Sequence, residues 1–214
     1  MKTLLKHSYF FLLLIFQNFY GQIDTQKENY KKFTNIKEAL INPEKVIYLD
    51  LSNQTEGLST IDFSRFKNLE YLNLKNDHLS KIPEGIYSIK TLKTIDLSGN
   101  DFDELPIEFS KLENLEEVYL NDESKINLPQ TLQVLSRLPK LKRLHLENDN
   151  IILLPKEILR FKNLEYLYLN DNKLNSVPKI QKLDHLRVLD LKNNNIIPEL
   201  QDMKNLNFGC KIIF

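Results

Sequence analysis

The 214-residue chain has a single cysteine, Cys210, so no disulfide can form within it and cysteine usage says nothing about its redox compartment. Five glycines are too few to build a phosphate-cradling loop, and neither a Walker loop nor G-x-G-x-x-G occurs. An excess of either charge is also missing: 29 acidic and 29 basic residues interleave, whereas nucleic-acid binders show a basic stripe or a high pI. His7, His78, His145 and His185 form no metal-ligand spacing such as H-E-x-x-H, and there is no G-x-S-x-G elbow. These absences leave no catalytic residue, metal site, cofactor or nucleic-acid partner to assign, and a non-enzyme is expected. No stretch reaches the roughly 20 apolar residues that span a bilayer; the run Tyr9 to Phe16 is much shorter.

That run has a context of its own. Lys2, Lys6 and His7 precede it, and Gln17 to Gln22 follow with Gly21 among them. A basic start, a short apolar run and a small residue at the cut describe a secretory signal peptide. Residues 1–21 are read as that signal, although Phe19 is larger than the residue usual two positions before the cut. The alternatives are an uncleaved anchor or a buried N-terminal helix. No cysteine follows the run to carry a lipid, and no integral span would remain once the signal is removed. The expected location is secreted, periplasmic or cell-surface.

What the chain has in abundance is one pattern. L-x-x-L-x-L recurs seven times, beginning at Val46, Leu69, Leu92, Leu115, Leu141, Leu164 and Leu186, with spacings of 23, 23, 23, 26, 23 and 22 residues. This is the period of a solenoid whose coils each contribute one strand. Within Leu69 to Leu74, alternation sends Leu72 and Leu74 to one face, and Tyr71, Asn73 and Lys75 to the other. Each coil then turns inward at an apolar residue and again at an apolar-proline pair: Leu79 and Ile82-Pro83, Phe102 and Leu105-Pro106, Ile151 and Leu154-Pro155, Leu174 and Val177-Pro178.

The pattern resembles the leucine-rich repeat family, bacterial secreted type, over residues 46–198. The resemblance implies an α/β solenoid: a right-handed superhelix with a curved parallel sheet of about seven short strands on the concave face, and turns and short helices on the convex face. It also implies an asparagine three positions after the last strand leucine, whose amide can satisfy backbone groups on both sides of a buried turn. Asn100, Asn172 and Asn194 fit; Asp77 and Asp149 lack the donors; Gln54 and Glu123 are longer, which puts turn regularity in doubt at coils one and four. Its function would be non-catalytic binding of a protein or peptide. A structural or adhesion role at the cell surface, or an intracellular scaffold if the N-terminus is retained, are the alternatives.

The ends and one coil depart from the pattern. Residues 22–45 read as a loose leader followed by a capping helix, Asn35 to Ile41, with Asn35 and Glu38 as a capping box. Coil four carries three extra residues after Pro129, and Leu132, Leu135 and Leu138 suggest a longer outer helix, either a protrusion or length drift. Lys125 falls where other coils are apolar, so Ile126 is expected to take its place. Residues 199–214 read as a C-terminal cap or strand, with Cys210 a small buried hydrophobe. Asn53-Gln54-Thr55 is a formal glycosylation sequon.

The outward strand positions form three columns: Tyr48, Tyr71, Thr94, Glu117, Arg143, Tyr166, Val188; Asp50, Asn73, Asp96, Tyr119, His145, Tyr168, Asp190; and Ser52, Lys75, Ser98, Asn121, Glu147, Asn170, Lys192. Tyrosine and arginine are enriched at binding hot spots. A partner-binding patch is therefore expected at Tyr119, Arg143, His145, Tyr166 and Tyr168 beside Glu117, with Tyr48 and Tyr71 nearer the N-terminus. The competing reading is a cross-strand ladder that only stabilises the sheet. His145 by itself reads as a surface histidine, with pH sensing as the alternative. Seven strands about 4.8 Å apart give a face roughly 29 Å long and, at three residues wide, about 300 Å² in footprint. That suits an extended peptide or loop, since a standard interface takes about 800 Å² per partner. Exposed carboxylates outnumber the bases there, favouring a mildly basic partner.

Overall fold

Each L-x-x-L-x-L segment forms one three-residue strand. These are β2 (Tyr48–Asp50), β3 (Tyr71–Asn73), β4 (Thr94–Asp96), β5 (Glu117–Tyr119), β6 (Arg143–His145), β7 (Tyr166–Tyr168) and β8 (Val188–Asp190). Two further strands bring the sheet to nine: β1 (Lys32–Phe33) pairs with β2, and β9 (Lys211–Ile213) pairs with β8. All nine run parallel in sequence order. The computed structural model describes residues 31–54, 57–123, 125–197 and 209–214. The expected signal and most of the leader lie outside these residues, as does the start of the C-terminal cap.

Register is fixed by the leucines. Leu49, Leu72, Ile95, Val118, Leu144, Leu167 and Leu189 align across the sheet and are fully buried. A slip of one residue would carry the whole row to the opposite face. The turn leucines Leu51, Leu74, Leu97, Leu120, Leu146 and Leu169 form a second buried row, and Phe63, Phe66, Phe102 and Phe109 fill the space behind it. Burying each such side chain stabilises by about 1.5–3 kcal/mol.

The outer wall is built from 3-10 turns after the prolines, at Glu84–Ser88, Ile107–Lys111 and Lys156–Arg160. Coil four replaces the 3-10 turn with an α-helix, α2 (Leu128–Leu135), capped by Asn127 and carrying Leu132, Val134 and Leu135 inward. Its three extra residues allow i→i+4 bonding to continue for two turns. Ile126 packs against the core while Lys125 is exposed, as the sequence suggests.

Two sequence expectations need correcting. The N-terminal helix α1 spans only Ile36–Ala39, with Asn35 as its N-cap accepting from Lys37 and Glu38 amides. It does not face the open edge of coil one alone, because β1 extends the sheet there, and Lys32 is therefore strand and not leader. The second correction concerns the turns. The residue two positions after the last strand leucine is left-handed in all seven coils: Asn53, Asn76, Gly99, Asp122, Asn148, Asp171 and Asn193, with φ between 55° and 65°. Gly, Asn and Asp enter this region at low cost, so this position of the turn is as regular at coils one and four as elsewhere, whereas coils two and five add a second left-handed residue at His78 and Asn150.

Candidate partner-binding face

The sheet brings the outward residues into contact in the order that the strands dictate. Glu117, Arg143 and Tyr166 stand in register, as do Tyr119, His145 and Tyr168. The latter three stack: Tyr119 and His145 rings are 3.8 Å apart and His145 and Tyr168 rings 4.2 Å apart, both close to parallel. One column over, the Arg143 guanidinium lies 5.4 Å from the Tyr166 ring centre, within cation–π range. Tyr48 and Tyr71 form a separate stack at 4.0 Å, with Lys32 over the Tyr48 ring at 5.1 Å and paired to Asp50 at 3.0 Å.

The middle of the longer stack is charged. His145 Nε2 lies 3.2 Å from Glu117 Oε1 and Nδ1 lies 3.3 Å from Glu147 Oε2, so both ring nitrogens meet a carboxylate. The Tyr119 hydroxyl donates to Glu117 at 3.0 Å, and Asn121 Nδ2 donates to Glu147 at 2.8 Å. Burial opposes the charged form of His145, but the two carboxylates outweigh it and raise its pKa above the usual imidazole value. Burial likewise works against charge on Glu117 and Glu147, and hydrogen bonds from His145 overcome it, so both sit below the ordinary carboxylate range. Burial and the Glu117 charge push the Tyr119 hydroxyl well up.

The expectation of a surface histidine is therefore wrong. His145 is only 8% exposed, enclosed by two rings above and below and two carboxylates at its edge. Strand alternation points it outward, but its taller tyrosine neighbours cover it. Glu147, absent from the expected patch, is the third member of the charged cluster. Thr94 and Ser98 are buried too, although they occupy outward columns. Arg143, Tyr166, Tyr168, Tyr119, Glu117, Tyr48 and Tyr71 are half-buried and still present surface. On the turn that follows β6, Ile152 and Leu153 are 62% and 76% exposed, where coils two and three carry Ser80-Lys81 and Asp103-Glu104.

Among the described residues no group of three His, Cys, Asp or Glu side chains could hold a metal, and no helix is long and apolar enough to cross a membrane. Residues 44–144 match the leucine-rich repeat region family and residues 162–208 match leucine-rich repeats in two copies. The chain belongs to the leucine-rich repeat family. No curated protein matches its sequence significantly, whereas 334 solved chains match its fold. One is a leucine-rich repeat protein of Leptospira interrogans, 26% identical, covering 86% of this chain and 58% of that one with a TM-score of 0.54. An internalin of Listeria monocytogenes is 15% identical, covering 77% and 59% at 0.51. Human 5T4 (Wnt-activated inhibitory factor 1, trophoblast glycoprotein) is 24% identical, covering 71% and 61% at 0.59. The chain thus spans about three-fifths of the length of these relatives. Leucine-rich repeat domains are generally protein-interaction modules and typically non-catalytic.

Proposed function

We propose that this leucine-rich repeat chain is an exported, non-catalytic recognition module that holds an extended peptide or loop of a partner protein along its concave face. The observation that carries this reading is the joined surface of Arg143, Tyr166 and Tyr168, held in place by the Tyr119–His145–Tyr168 stack. Large side chains already fixed by their neighbours lose little freedom on binding, which is where affinity is gained. His145, Glu117 and Glu147 act as the support, and Arg143, Tyr166, Tyr168 and Tyr119 make the contact. Tyr48 and Tyr71 offer a second stack toward the other end. The apolar pair Ile152 and Leu153 borders the same coils and would let a partner larger than a peptide extend onto the turns.

Export rests on the basic head, the apolar run Tyr9 to Phe16 and the small Gly21. Sequencing the N-terminus of the mature protein tests it; a chain that begins at Met1 refutes it. For binding, the full mature chain carrying Tyr168→Ala and Arg143→Ala is compared with wild type in capture of proteins from the producing organism's surroundings. Loss of a specific partner with an unchanged circular-dichroism spectrum is the expected result. Capture unaffected by both changes, or self-association insensitive to them, would instead indicate a structural or adhesion role.

A further inference from the structure

Behind the concave face, one residue per coil forms a column: Gln54, Asp77, Asn100, Glu123, Asp149, Asn172 and Asn194, with the five inner ones buried and the two end ones half-buried. From Gln54 to Asn172 the column is a continuous chain of hydrogen bonds, and Asn194 joins it by accepting from the Leu174 amide at 2.9 Å. The Gln54 backbone N–H donates to Asp77 Oδ1 at 2.6 Å, that of Asp77 to Asn100 Oδ1 at 3.2 Å and that of Asn100 to Glu123 Oε1 at 2.8 Å. The Glu123 backbone N–H then donates to Asp149 Oδ1 at 2.7 Å, and that of Asp149 to Asn172 Oδ1 at 3.0 Å. Each coil is thereby hung from the side chain of the next.

The amide rungs also do a second job. Asn100 Nδ2 donates to the carbonyls of Leu74 and Leu97 at 2.8 and 2.7 Å, and Asn172 Nδ2 to those of Leu146 and Leu169 at 2.7 and 3.0 Å. A carboxylate in the same place has no hydrogen to give. Asp77 Oδ2 and Asp149 Oδ2 are buried with no hydrogen-bond partner. The carbonyls that Asn100 and Asn172 serve have as their repeat equivalents those of Leu51 and Leu74, and of Leu120 and Leu146. An ionised oxygen could not donate to them, whereas an acid O–H would complete the pattern.

We infer that the orphaned oxygens of Asp77 and Asp149 carry a proton in the folded protein, so that these two residues stand in for asparagine, and that Glu123, buried between Asn100 and Asp149 in the same chain of hydrogen bonds, is a third neutral acid. The column is thus a proton-dependent lock on the fold. The three residues are 4%, 3% and 7% exposed. The charged groups facing them are almost all of the wrong sign to support ionisation. Asp77 meets Asp50 and the exposed His78; Glu123 meets Asp149, Asp101 and Asp122; Asp149 meets Asp122 and Glu147. Lys75 reaches toward this side only to pair with Asp122, at 3.9 Å. Burial above all raises Asp77 to about 6, Glu123 to about 8 and Asp149 to about 7.

These groups bind protons more tightly folded than unfolded, so stability is full below the ordinary carboxyl range and falls as pH rises through the folded values. Between about pH 5 and 8 the folding equilibrium should weaken by up to about tenfold per pH unit for each proton released. The test is denaturant unfolding of the full mature chain from pH 5 to 9, beside Asp77→Asn, Glu123→Gln and Asp149→Asn singly and together. Because His145 and Asp190 are both raised and contribute slopes of the same sign, the series is repeated on a background carrying His145→Phe and Asp190→Asn. The inference predicts a decline in wild type that the combined amide variant removes on both backgrounds. A flat or rising wild-type profile, or a decline that survives all three substitutions, overturns it. Should the combined variant fail to fold, infrared spectra of wild type at pH 5.5 decide the matter: carboxylic-acid carbonyl bands lost in Asp149→Asn support the lock, and fully ionised carboxylates refute it.

Discussion

Two columns run the length of this array a few residues apart, and they solve the same problem of stacked side chains in different ways. The concave column of Tyr119, His145 and Tyr168 satisfies itself sideways, ring on ring, with charges exchanged among Glu117, His145 and Glu147. The turn column of Asn100, Glu123 and Asp149 satisfies the backbone instead, reaching amides and carbonyls that no water can serve. Side chains in the first column can change identity while the backbone remains paired. Those in the second are confined to Asn, Asp, Gln and Glu, because a buried N–H or C=O left without a partner costs about 1–3 kcal/mol. The repeat is therefore rigid in its turn and free on its face, and that freedom is what allows a binding surface to vary on a fixed fold.

Breaking the turn column should produce the largest effect. Asn100 accepts from the amides of Asp77 and Leu79 and donates to the carbonyls of Leu74 and Leu97. Asn100→Ala strands several of these groups and is expected to cost about 3–5 kcal/mol. Urea unfolding would show it; a loss below about 1 kcal/mol would mean that the column is dispensable. The adjacent Gly99→Ala is milder. Its φ of +65° suits glycine, and a Cβ would run into the Asn76 side chain, which must then move. The expected cost is about 1–2 kcal/mol.

The concave column should yield less. His145→Ala removes two ring contacts worth about 0.5–1.5 kcal/mol each and leaves Glu117 and Glu147 without their shared partner, for a loss of about 2 kcal/mol. The loss should depend on pH, and the sign follows from the shifts. His145 is raised, so its charge contributes fully below about pH 6.5 and fades as pH rises through its folded value. Glu117 and Glu147 are lowered, so their contribution fades as pH falls through their folded values, below the usual carboxylate range. The difference between wild type and His145→Ala should therefore peak in the mildly acidic window between the two. A pH-independent difference would leave stacking alone as the contribution of His145.

The same division decides what could be read from the sequence. Leucine spacing defines the strands, their order and their inward face, because a two-residue period and a 23-residue repeat admit one register. Even the longer outer helix of coil four announces itself in Leu132, Leu135 and Leu138. The outward patch was legible as composition, and the register brings Tyr119, His145 and Tyr168 together as the columns imply. Burial of His145 was not legible, since alternation alone says that it points outward and only the heights of its neighbours bury it. Strand β1 was missed because Lys32 and Phe33 carry no repeat pattern and acquire their structure by pairing with β2. The left-handed turn before Glu123 did have a signal: Asn, Gly or Asp precedes the turn-column residue in every coil, as the left-handed position demands.

The smallest effect on stability is expected where the effect on recognition is greatest. The Arg143 side chain packs on Tyr166 at the surface, and its backbone N–H bonds the Glu116 carbonyl of the preceding coil whatever side chain it carries. An exposed cation–π pair contributes about 0.5–1 kcal/mol, so Arg143→Ala should shift the urea midpoint only slightly. Its guanidinium is nonetheless the fixed cation at the centre of the face, beside Glu117, Tyr166 and the buried His145. If the face binds a partner, truncating Arg143 should weaken capture tenfold or more, the range of an interface hot spot at about 2 kcal/mol, with the fold intact. Should Arg143→Ala instead cost as much stability as His145→Ala and leave capture unchanged, both columns would be structural. The distinction between a rigid turn and a free face would then fail where it matters most.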